Sequence, residues 1–466
     1  MTMVKLFLGL SVSMGLLMSS VTSSAEERNF ERERLERRAY ESALWAQPLV
    51  AGNEIIAGAI NAGQLLNQVA YFSQPPNWKF QAPTPNNSTP YVQLVYDLKD
   101  GPVVVELPAA TDTYSIFGTF LDVWQRPVVD VGPDGDDQGK GGKYFLYARN
   151  TDPDIPDGYL PVPLQTYRGY GTLRIITPDL EPSTLEGAVD YIKEGIHQYP
   201  YGSDVRLPHI DIYDTLYTSQ FPFDSTFFDR LQEIINHEEV QEVDKYPMGM
   251  LSSIGIERGG NFNPSDDERA VLDVVMARVH QELQHSLSAT PPSRWGDATQ
   301  WTQPVANSMI ETTMTYEDES KVFIDDRAFT YYTYIAPPVK LGSSTAYLML
   351  TSDKSGAALN GQKNYKLNVP ADVPAEQFWS VLAYDVATGS YIREADPIGL
   401  ASTENPAPRV NSDGSVDIFF GPEELNGGVN YLPTGGAENF FLLFRFYGPM
   451  DAYRNNTWML NDIEPL

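Results

Sequence analysis

The sequence predicts a mainly β protein with added helices, and changes in hydrophobic period along the chain are the basis of this prediction. Apolar residues alternate in short runs across residues 81–180 and again across residues 326–466. In the intervening residues 181–325, apolar residues recur every three or four positions. A period of two indicates strands and a period near 3.6 indicates helices. We therefore expect a β-sandwich, a helical middle region and a C-terminal sandwich of jelly-roll type, in that order.

The first 25 residues have the order of a secretory signal peptide. Lys5 supplies a positive charge, Leu6–Met18 is an apolar run, and small residues lead to Ala25. The run is shorter than the roughly 20 residues that a transmembrane helix needs. We therefore expect cleavage near Ala25 and a periplasmic or secreted protein without an integral membrane segment. A buried first helix and an uncleaved anchor are the alternatives.

The composition excludes several classes of site and partner. The chain has no cysteine, which excludes thiolate zinc sites, iron–sulfur clusters and cysteine nucleophiles. Its 62 acidic residues outnumber 32 basic ones, giving a formal net charge of −30. Such a chain repels nucleic acid and anionic membrane surfaces, so neither is expected as a partner. The acidic residues either keep the protein soluble or attract cationic partners such as calcium.

Two helices are predicted in residues 26–80. The first covers residues 30–47 and ends at Pro48, because proline lacks an amide hydrogen and disrupts a helix interior. The second covers Glu54–Phe72 and ends before Pro75. Neither helix can form a core alone, so both are expected to pack against something larger.

The sandwich predicted at residues 81–180 rests on strand-like runs separated by Gly, Pro and Asp. Because no helical segment lies between these runs, they favour a sandwich over an alternating α/β fold. The runs are Tyr91–Leu98, Val103–Leu107, Tyr114–Val123, Tyr144–Ala148 and Thr172–Thr177.

Helix-start signals mark residues 181–325. Ser265 and Glu268 have the spacing of a capping box, and Asp224-Ser225 precedes a second apolar helical pattern. Strand-like runs then return for the jelly roll at residues 326–466. They are Phe329–Ile335, Ala346–Leu350, Lys366–Val369, Gln377–Tyr384, Val416–Phe420 and Asn439–Tyr447.

No short motif identifies a reaction. His280 and His285 are five residues apart, so they do not share a helix face as a zinc-binding pair does. Ser253 lacks the first glycine of a nucleophile elbow. The segment Asp130–Lys143 fits neither a phosphate loop nor an EF-hand, although its carboxylates and carbonyls leave calcium as an alternative. We otherwise predict no metal and no cofactor.

The polar and aromatic cluster Asn86–Tyr91, at the start of the first predicted strand, is the candidate ligand site. Its short amides and hydroxyls either set the entry turn or present donors and acceptors to a ligand. Asp122 and Trp124 follow a later strand, where such a site could be completed. The predicted ligand-binding residues are Asn86, Asn87, Thr89, Tyr91, Trp124, Lys143 and Trp379.

These residues resemble a family of exported bacterial proteins. Asn86–Tyr91, Asp122–Gln125 and Gly139–Tyr144 are similar to the domain of unknown function 1254. The C-terminal half resembles its companion, the domain of unknown function 1214, on Asp326–Ala328, Tyr331-Tyr332, Phe378–Val381, Tyr384-Asp385, Asp413–Ser415 and Arg445–Pro449. The chain departs from the family at Tyr431, where members commonly carry Trp. The resemblance implies an Ig-like N-terminal sandwich, a helical middle region and a C-terminal jelly roll, but no established activity.

Three functions remain open at this point. The first is binding of a glycan or another small polar ligand in a cleft between the β modules. The second is a hydrolase or lyase whose catalytic groups are Asp122, Arg327 and Asp385. The third is an oligomeric envelope-assembly protein, a homo-oligomer. An enclosed cleft with a carboxylate of raised pKa beside Arg327 would favour catalysis. A shallow aromatic platform without buried titratable groups would favour binding, and a large flat apolar face would favour assembly.

Overall fold

The protein combines helices and strands in nearly equal shares. The computed structural model describes residues 7–289, 291–312, 315–335, 345–403 and 406–466. Helix accounts for 29% and strand for 27%, so the class is mixed α and β with several sheets. Residues 1–6, where the predicted signal peptide begins, lie outside the described residues. No described helix is both long enough and apolar enough to cross a membrane.

Eight α-helices are present in the described residues. They are α1 Phe7–Asn61, α2 Pro182–Gly195, α3 Thr226–His237, α4 Lys245–Ser252, α5 Asp266–Ala289, α6 Asn307–Glu311, α7 Ile324–Thr333 and α8 Asp451–Arg454. The prediction that Pro48 ends the first helix is wrong, since α1 continues through it. The flanking residues 42–52 are all buried. Their packing outweighs the backbone hydrogen bond that proline removes.

Twenty strands form the sheets of the described part of the chain. The N-terminal β region contains β1 Val69–Tyr71, β2 Phe80–Gln81, β3 Tyr91–Asp97, β4 Val103–Leu107, β5 Ser115–Asp122, β6 Pro127–Val131, β7 Gly142–Ala148, β8 Tyr159–Leu164, β9 Arg168–Ile176, β10 His197–Pro200, β11 Ile210–Asp211 and β12 Tyr217–Thr218. The C-terminal β region contains β13 Thr345–Leu350, β14 Tyr365–Val369, β15 Ala375–Asp385, β16 Gly399–Ala401, β17 Val416–Gly421, β18 Tyr431–Pro433, β19 Phe440–Pro449 and β20 Glu464–Pro465.

The N-terminal β region has a six-stranded and a four-stranded sheet. Their strand orders are β11-β1-β3-β9-β5-β6 and β10-β4-β7-β8, and β2 pairs separately with β12. One hydrophobic cluster contains Leu94 and Phe120 of the first sheet, Val105 and Leu146 of the second, and Ile192 of α2. The two sheets therefore share one core. β1 occupies residues that the sequence predicted as the end of a helix over Glu54–Phe72.

The C-terminal β region has two four-stranded sheets that also share a core. Their orders are β13-β19-β15-β16 and β18-β17-β14-β20. Leu348, Val381 and Phe444 of the first sheet cluster with Leu367 and Ile418 of the second. Along β19, residues of this core alternate with residues on the opposite face, because successive strand side chains point to opposite sides. This alternation places Leu443 and Arg445 on the face away from the core.

One predicted strand is a helix. Residues Phe329–Ile335 have strong strand propensity, yet Ile324–Thr333 forms α7. Arg327–Thr333 are buried on all sides, and a continuously buried run does not distinguish a strand from a buried helix by its period. The helices predicted after Asp224-Ser225 and Ser265 are confirmed as α3 and α5.

The chain divides into two compact units. The smaller contains residues 1–46 and 222–281, and the larger contains 47–221 and 282–466. Both β regions lie in the larger unit. In the smaller unit Arg269 of α5 makes two hydrogen bonds to the Asp229 carboxylate of α3, at 2.8 and 3.0 Å. The predicted capping box is confirmed: the Ser265 amide donates to Glu268 at 2.8 Å, and the Glu268 amide donates to the Ser265 hydroxyl at 3.3 Å.

Candidate functional site

A cleft of about 370 Å³ lies between the two β regions of the larger unit. Strands β3, β5 and β9 line it on one side and β13 and β19 on the other. Residues of the loop after β2, the segment 294–309 and the end of α7 complete the lining. The lining residues are Phe80, Pro83, Thr84, Pro85, Asn86, Tyr91, Phe117, Gly118, Thr119, Leu121, Thr172, Arg174, Arg294, Gln303, Pro304, Val305, Met309, Thr330, Tyr334, Ile335, Thr345, Ala346, Tyr347, Leu443, Arg445 and Tyr453.

Arg445 is the most buried charged group of this cleft. It lies in the middle of β19 and is only 2% exposed. Its Nη2 donates to the Tyr384 hydroxyl at 2.7 Å, and the guanidinium lies 5.6 Å from the ring centroid of Tyr347, the residue directly opposite on β13. Its Nε and Nη1 atoms are buried and have no hydrogen-bond acceptor among the described residues.

Arg174 has a similar aromatic setting in the other β region. On β9 it is directly opposite Tyr91 of β3 and Phe117 of β5. Its guanidinium lies 5.8 Å from the Tyr91 ring centroid and 6.0 Å from that of Phe117. Each β region thus presents an arginine flanked by aromatic rings, whose negative faces attract cations.

The lining is cationic in a strongly acidic protein. It includes Arg174, Arg294 and Arg445, but no Asp or Glu of the described residues lines the cleft. Residues 336–344, which the structure does not describe, contain no Asp or Glu in the sequence. The chain as a whole has a net charge of −30, and its described acidic residues lie outside the lining. The cleft is therefore a local site of positive charge with mostly apolar walls.

The loop between β2 and β3 joins the two β regions at the cleft. The Tyr384 hydroxyl donates to the Pro85 carbonyl at 2.6 Å, and the Tyr447 hydroxyl donates to Asn86 Oδ1 at 3.2 Å. The Thr84 hydroxyl donates to the Thr333 carbonyl at 2.9 Å. These contacts hold one wall of the cleft against α7 and the C-terminal β region.

Two of the predicted ligand-binding residues line the cleft, namely Asn86 and Tyr91. Asn86 is 3% exposed, and its Nδ2 donates to the Ser88 hydroxyl at 2.6 Å. Asn87 and Thr89 are half-buried and are not lining residues. The Thr89 hydroxyl oxygen is buried without a hydrogen-bond partner in the described structure.

Asp122, Trp124 and Arg327 lie together beside the end of β5, and none of them lines the cleft. Asp122 is 1% exposed; its carboxylate accepts from Arg126 Nε at 2.7 Å and from the Arg126 amide at 3.0 Å. The Arg327 guanidinium lies 5.1 Å from the Trp124 ring centroid. Burial raises the pKa of Tyr331, Arg327 lowers it and Asp122 raises it, so both charges lie near that hydroxyl. The catalytic roles of Asp122, Arg327 and Asp385 stay predictions.

The remaining predicted residues lie in other surroundings. Asp385 ends β15, where it accepts from the Ala387 amide at 2.9 Å, and burial raises its pKa. Lys143 is exposed on β7 and lies 3.2 Å from the Glu106 carboxylate. Trp379 is 8% exposed and stacks on Phe444 in the C-terminal core, with ring centroids 5.3 Å apart.

The segment considered for calcium is a hydrogen-bonded turn. The Asp137 carboxylate accepts from the amides of Gly132 and Gly141, at 2.7 and 2.9 Å. Among the described residues, no group of three or more His, Asp or Glu side chains is arranged to hold a metal ion.

The sequence interpretation missed Arg174 and Arg445 as site residues. The signal that could have found them is a charged residue inside an apolar strand. Arg174 stands between Leu173 and Ile175, and Arg445 stands between Phe444 and Phe446. Arginine is almost never fully buried unless it is paired, so its presence there indicates a specific partner.

Comparisons with known proteins agree with the two β regions. A family model described as a protein of unknown function, DUF1254, matches residues 66–200, and a second, DUF1214, matches residues 344–451. Together they match slightly more than half of the chain. No curated protein matches it.

Two solved structures are similar over most of the chain. The VPA0106 protein from Vibrio parahaemolyticus covers 93% of this chain and 100% of its own, with a TM-score of 0.54 and 16% identity, which indicates a shared fold. An uncharacterized protein from Burkholderia cenocepacia covers 95% of this chain and 97% of its own, with a TM-score of 0.40 and 12% identity. On the two family matches, the chain belongs to the proteins of unknown function that carry a DUF1254 region followed by a DUF1214 region.

Proposed function

We propose that the protein binds a small molecule with an apolar or aromatic body in the cleft between its two β regions. The observation that carries this proposal is the lining of the cleft. Sixteen of its 26 lining residues are apolar, aromatic or glycine, and the other ten are polar or charged. Ligand sites in proteins usually have this composition, and about 370 Å³ is near the lower end of their usual volumes.

Binding is better supported than carboxylate catalysis. General acid–base catalysis in the cleft would need an acidic or basic group within reach of the ligand. No described Asp, Glu or His lines the cleft, and Asp122 is engaged with Arg126 outside the lining. A hydrolase or lyase using Asp122, Arg327 and Asp385 is therefore the weaker alternative.

The lining also favours an amphiphilic ligand over a glycan. A sugar presents many hydroxyl groups, and each needs a hydrogen-bond partner when water is removed. Five of the seven Thr, Asn and Gln side chains in the lining already have hydrogen-bond partners within the protein, namely Thr84, Asn86, Thr119, Thr172 and Thr330. Its aromatic side chains, including Tyr91 and Tyr347, suit an apolar chain or ring.

We further infer the finer architecture and the location. The shared core of the six- and four-stranded N-terminal sheets supports an Ig-like sandwich, and that of the two C-terminal sheets supports a jelly roll. The order of charged, apolar and small residues before Ala25 supports export to the periplasm or the medium. We therefore propose that the protein is an exported binding protein.

A neutral fluorescent probe tests the proposal independently of charge. N-phenyl-1-naphthylamine becomes bright in apolar surroundings, and we expect saturable binding to the wild-type protein. Val305 lines the cleft, so Val305→Trp should reduce probe affinity by about 10-fold or more by filling it. The matched control is Val410→Trp, because Val410 is exposed and is not a lining residue. Unsaturable binding, or equal binding by both variants, would overturn the proposal.

A further inference from the structure

Arg445 is a buried cation whose contacts in the described structure are all with neutral groups. Its Nη2 donates to the Tyr384 hydroxyl at 2.7 Å and to the Thr84 and Pro85 carbonyls at 3.4 Å. None of the ion pairs among the described residues includes Arg445. A buried charge without an opposite charge is costly, which is why buried arginines usually pair with carboxylates.

The second observation is that Arg445 has N–H donors without an acceptor in the described structure. A guanidinium has five N–H donors in a rigid plane. The buried Nε and Nη1 atoms account for three of them, and these have no acceptor among the described residues. Polar atoms in such positions almost always have a partner. The partner that best satisfies them is an anion with acceptor oxygens.

Arg174 adds a second positive charge near the same place. Both Arg174 and Arg445 interact with the hydroxyl-bearing side chains of Tyr347 and Tyr447. The two arginines come from different β regions, so a group bound near Tyr347 is within the field of both. Two like charges in one cleft are mutually unfavourable, and an anion bound in the cleft would relieve this repulsion.

The apolar walls of the cleft favour an anion of low charge attached to an apolar body. A phosphate group carries up to two negative charges at pH 7 and three strong acceptor oxygens, so its transfer from water to apolar surroundings costs more than that of a carboxylate. A carboxylate carries two oxygens and one charge, which the available arginine donors can satisfy. The remaining walls, among them Phe117, Val305 and Leu443, offer contact to carbon atoms.

We propose that the ligand is an organic monocarboxylate whose carboxylate binds Arg445 and lies near Arg174, with its apolar chain or ring along the aromatic walls. This inference rests on the proposed function, because it names the class of molecule that the cleft binds. It assigns Arg445 the role of the anchor and Arg174 the role of a supporting positive charge.

Matched probes of equal length test the charge requirement. Binding of octanoate, 1-octanol and inorganic phosphate to the full chain is measured by titration calorimetry at pH 7. We expect octanoate to bind at least about 10-fold more tightly than 1-octanol, as one charge-assisted hydrogen bond implies. Phosphate alone should bind far more weakly, because it has no apolar body.

Substitutions then test whether Arg445 is the residue that binds the carboxylate. Arg445→Gln should weaken octanoate binding by about 10- to 100-fold and leave 1-octanol binding unchanged. Arg269→Gln is the matched control, since Arg269 pairs with Asp229 in the smaller unit and should not affect either probe. If Arg445→Gln does not fold, as judged by circular dichroism, Arg174→Gln replaces it with a smaller expected loss.

The outcomes separate this inference from the proposed function. Equal affinity for octanoate and 1-octanol would overturn the carboxylate inference and leave binding in the cleft intact. Tighter binding of phosphate than of octanoate would also overturn it. If no probe binds, and N-phenyl-1-naphthylamine does not bind either, both proposals are wrong.

Discussion

Arg445 donates a hydrogen bond of 2.7 Å from Nη2 to the hydroxyl of Tyr384. That hydroxyl donates in turn to the Pro85 carbonyl at 2.6 Å. The chain of contacts therefore runs from β19 through β15 to the loop between β2 and β3. It fixes the orientation of the guanidinium and holds the wall that carries Asn86 and Tyr91. A group oriented in this way is ready to bind a ligand without rearrangement.

Tyr384→Phe is expected to destabilise the protein by about 1–3 kcal/mol, because the substitution leaves Arg445 Nη2 and the buried Pro85 carbonyl without their best partner. Chemical denaturation followed by circular dichroism measures this change. Tyr147→Phe is the control, since Tyr147 is half-buried and its hydroxyl makes no hydrogen bond that the described structure shows. Equal stability of the two variants would contradict the role assigned to Tyr384.

Trp379→Phe is expected to lower stability without changing affinity for a ligand in the cleft. Trp379 stacks on Phe444 within the C-terminal core, and its backbone amide donates to the Ser402 hydroxyl at 3.1 Å, so it is not available to a ligand. The loss should be on the order of 1–3 kcal/mol, smaller than for truncation to alanine. Thermal unfolding and probe titration measure the two effects. A large loss of affinity at unchanged stability would restore Trp379 as a ligand contact.

Asp385→Asn is expected to raise the melting temperature at pH 7 and to have no effect near pH 3. Burial raises the folded-state pKa of Asp385 above its ordinary value of 3.8, so the charged form destabilises the fold. This destabilisation appears as the pH rises through the raised pKa, and it is absent below 3.8, where the carboxyl is protonated in both states. Thermal unfolding across this range checks the sign. Asp112→Asn, at an exposed position, is the control; a benefit at pH 3 equal to that at pH 7 would contradict the account.

Ser265→Ala is expected to destabilise the smaller unit by about 0.5–2 kcal/mol, because the Glu268 amide loses its acceptor at the start of α5. The same substitution frees the Glu268 carboxylate from the Ser265 hydroxyl, at 2.8 Å. Denaturation monitored by hydrogen exchange reports on α5 directly. Ser288→Ala, in the same helix, is the matched control. No difference between the variants would show that the capping box contributes little.

The fold was predictable where the period of apolar residues is unambiguous. The run predicted at Tyr91–Leu98 forms β3, Tyr91–Asp97, because its apolar positions alternate. The run at Phe329–Ile335 was misassigned because every residue of α7 from Arg327 onward is buried, and such a run carries no period. The prediction that the first helix ends at Pro48 failed because tertiary packing overrides local helix propensity.

The site was predictable only in part. Asn86 and Tyr91 stood out because short amides and an aromatic residue precede a strand, and both line the cleft. Arg174 and Arg445 are 271 residues apart by their numbers, so no local pattern joins them. Only the assembly of β9 beside β3 and of β19 beside β13 places each arginine opposite a tyrosine. Their charge inside an apolar strand was the one available local signal.

The most direct test of the central claim is a crystal structure of the protein with 8-bromooctanoate, in which anomalous scattering locates the bromine. We expect the bromine in the cleft, near Val305 or Met309, and the carboxylate within about 3 Å of a nitrogen of Arg445. A fully occupied ligand outside the cleft, or one whose carboxylate points away from Arg445 into solvent, would contradict the account.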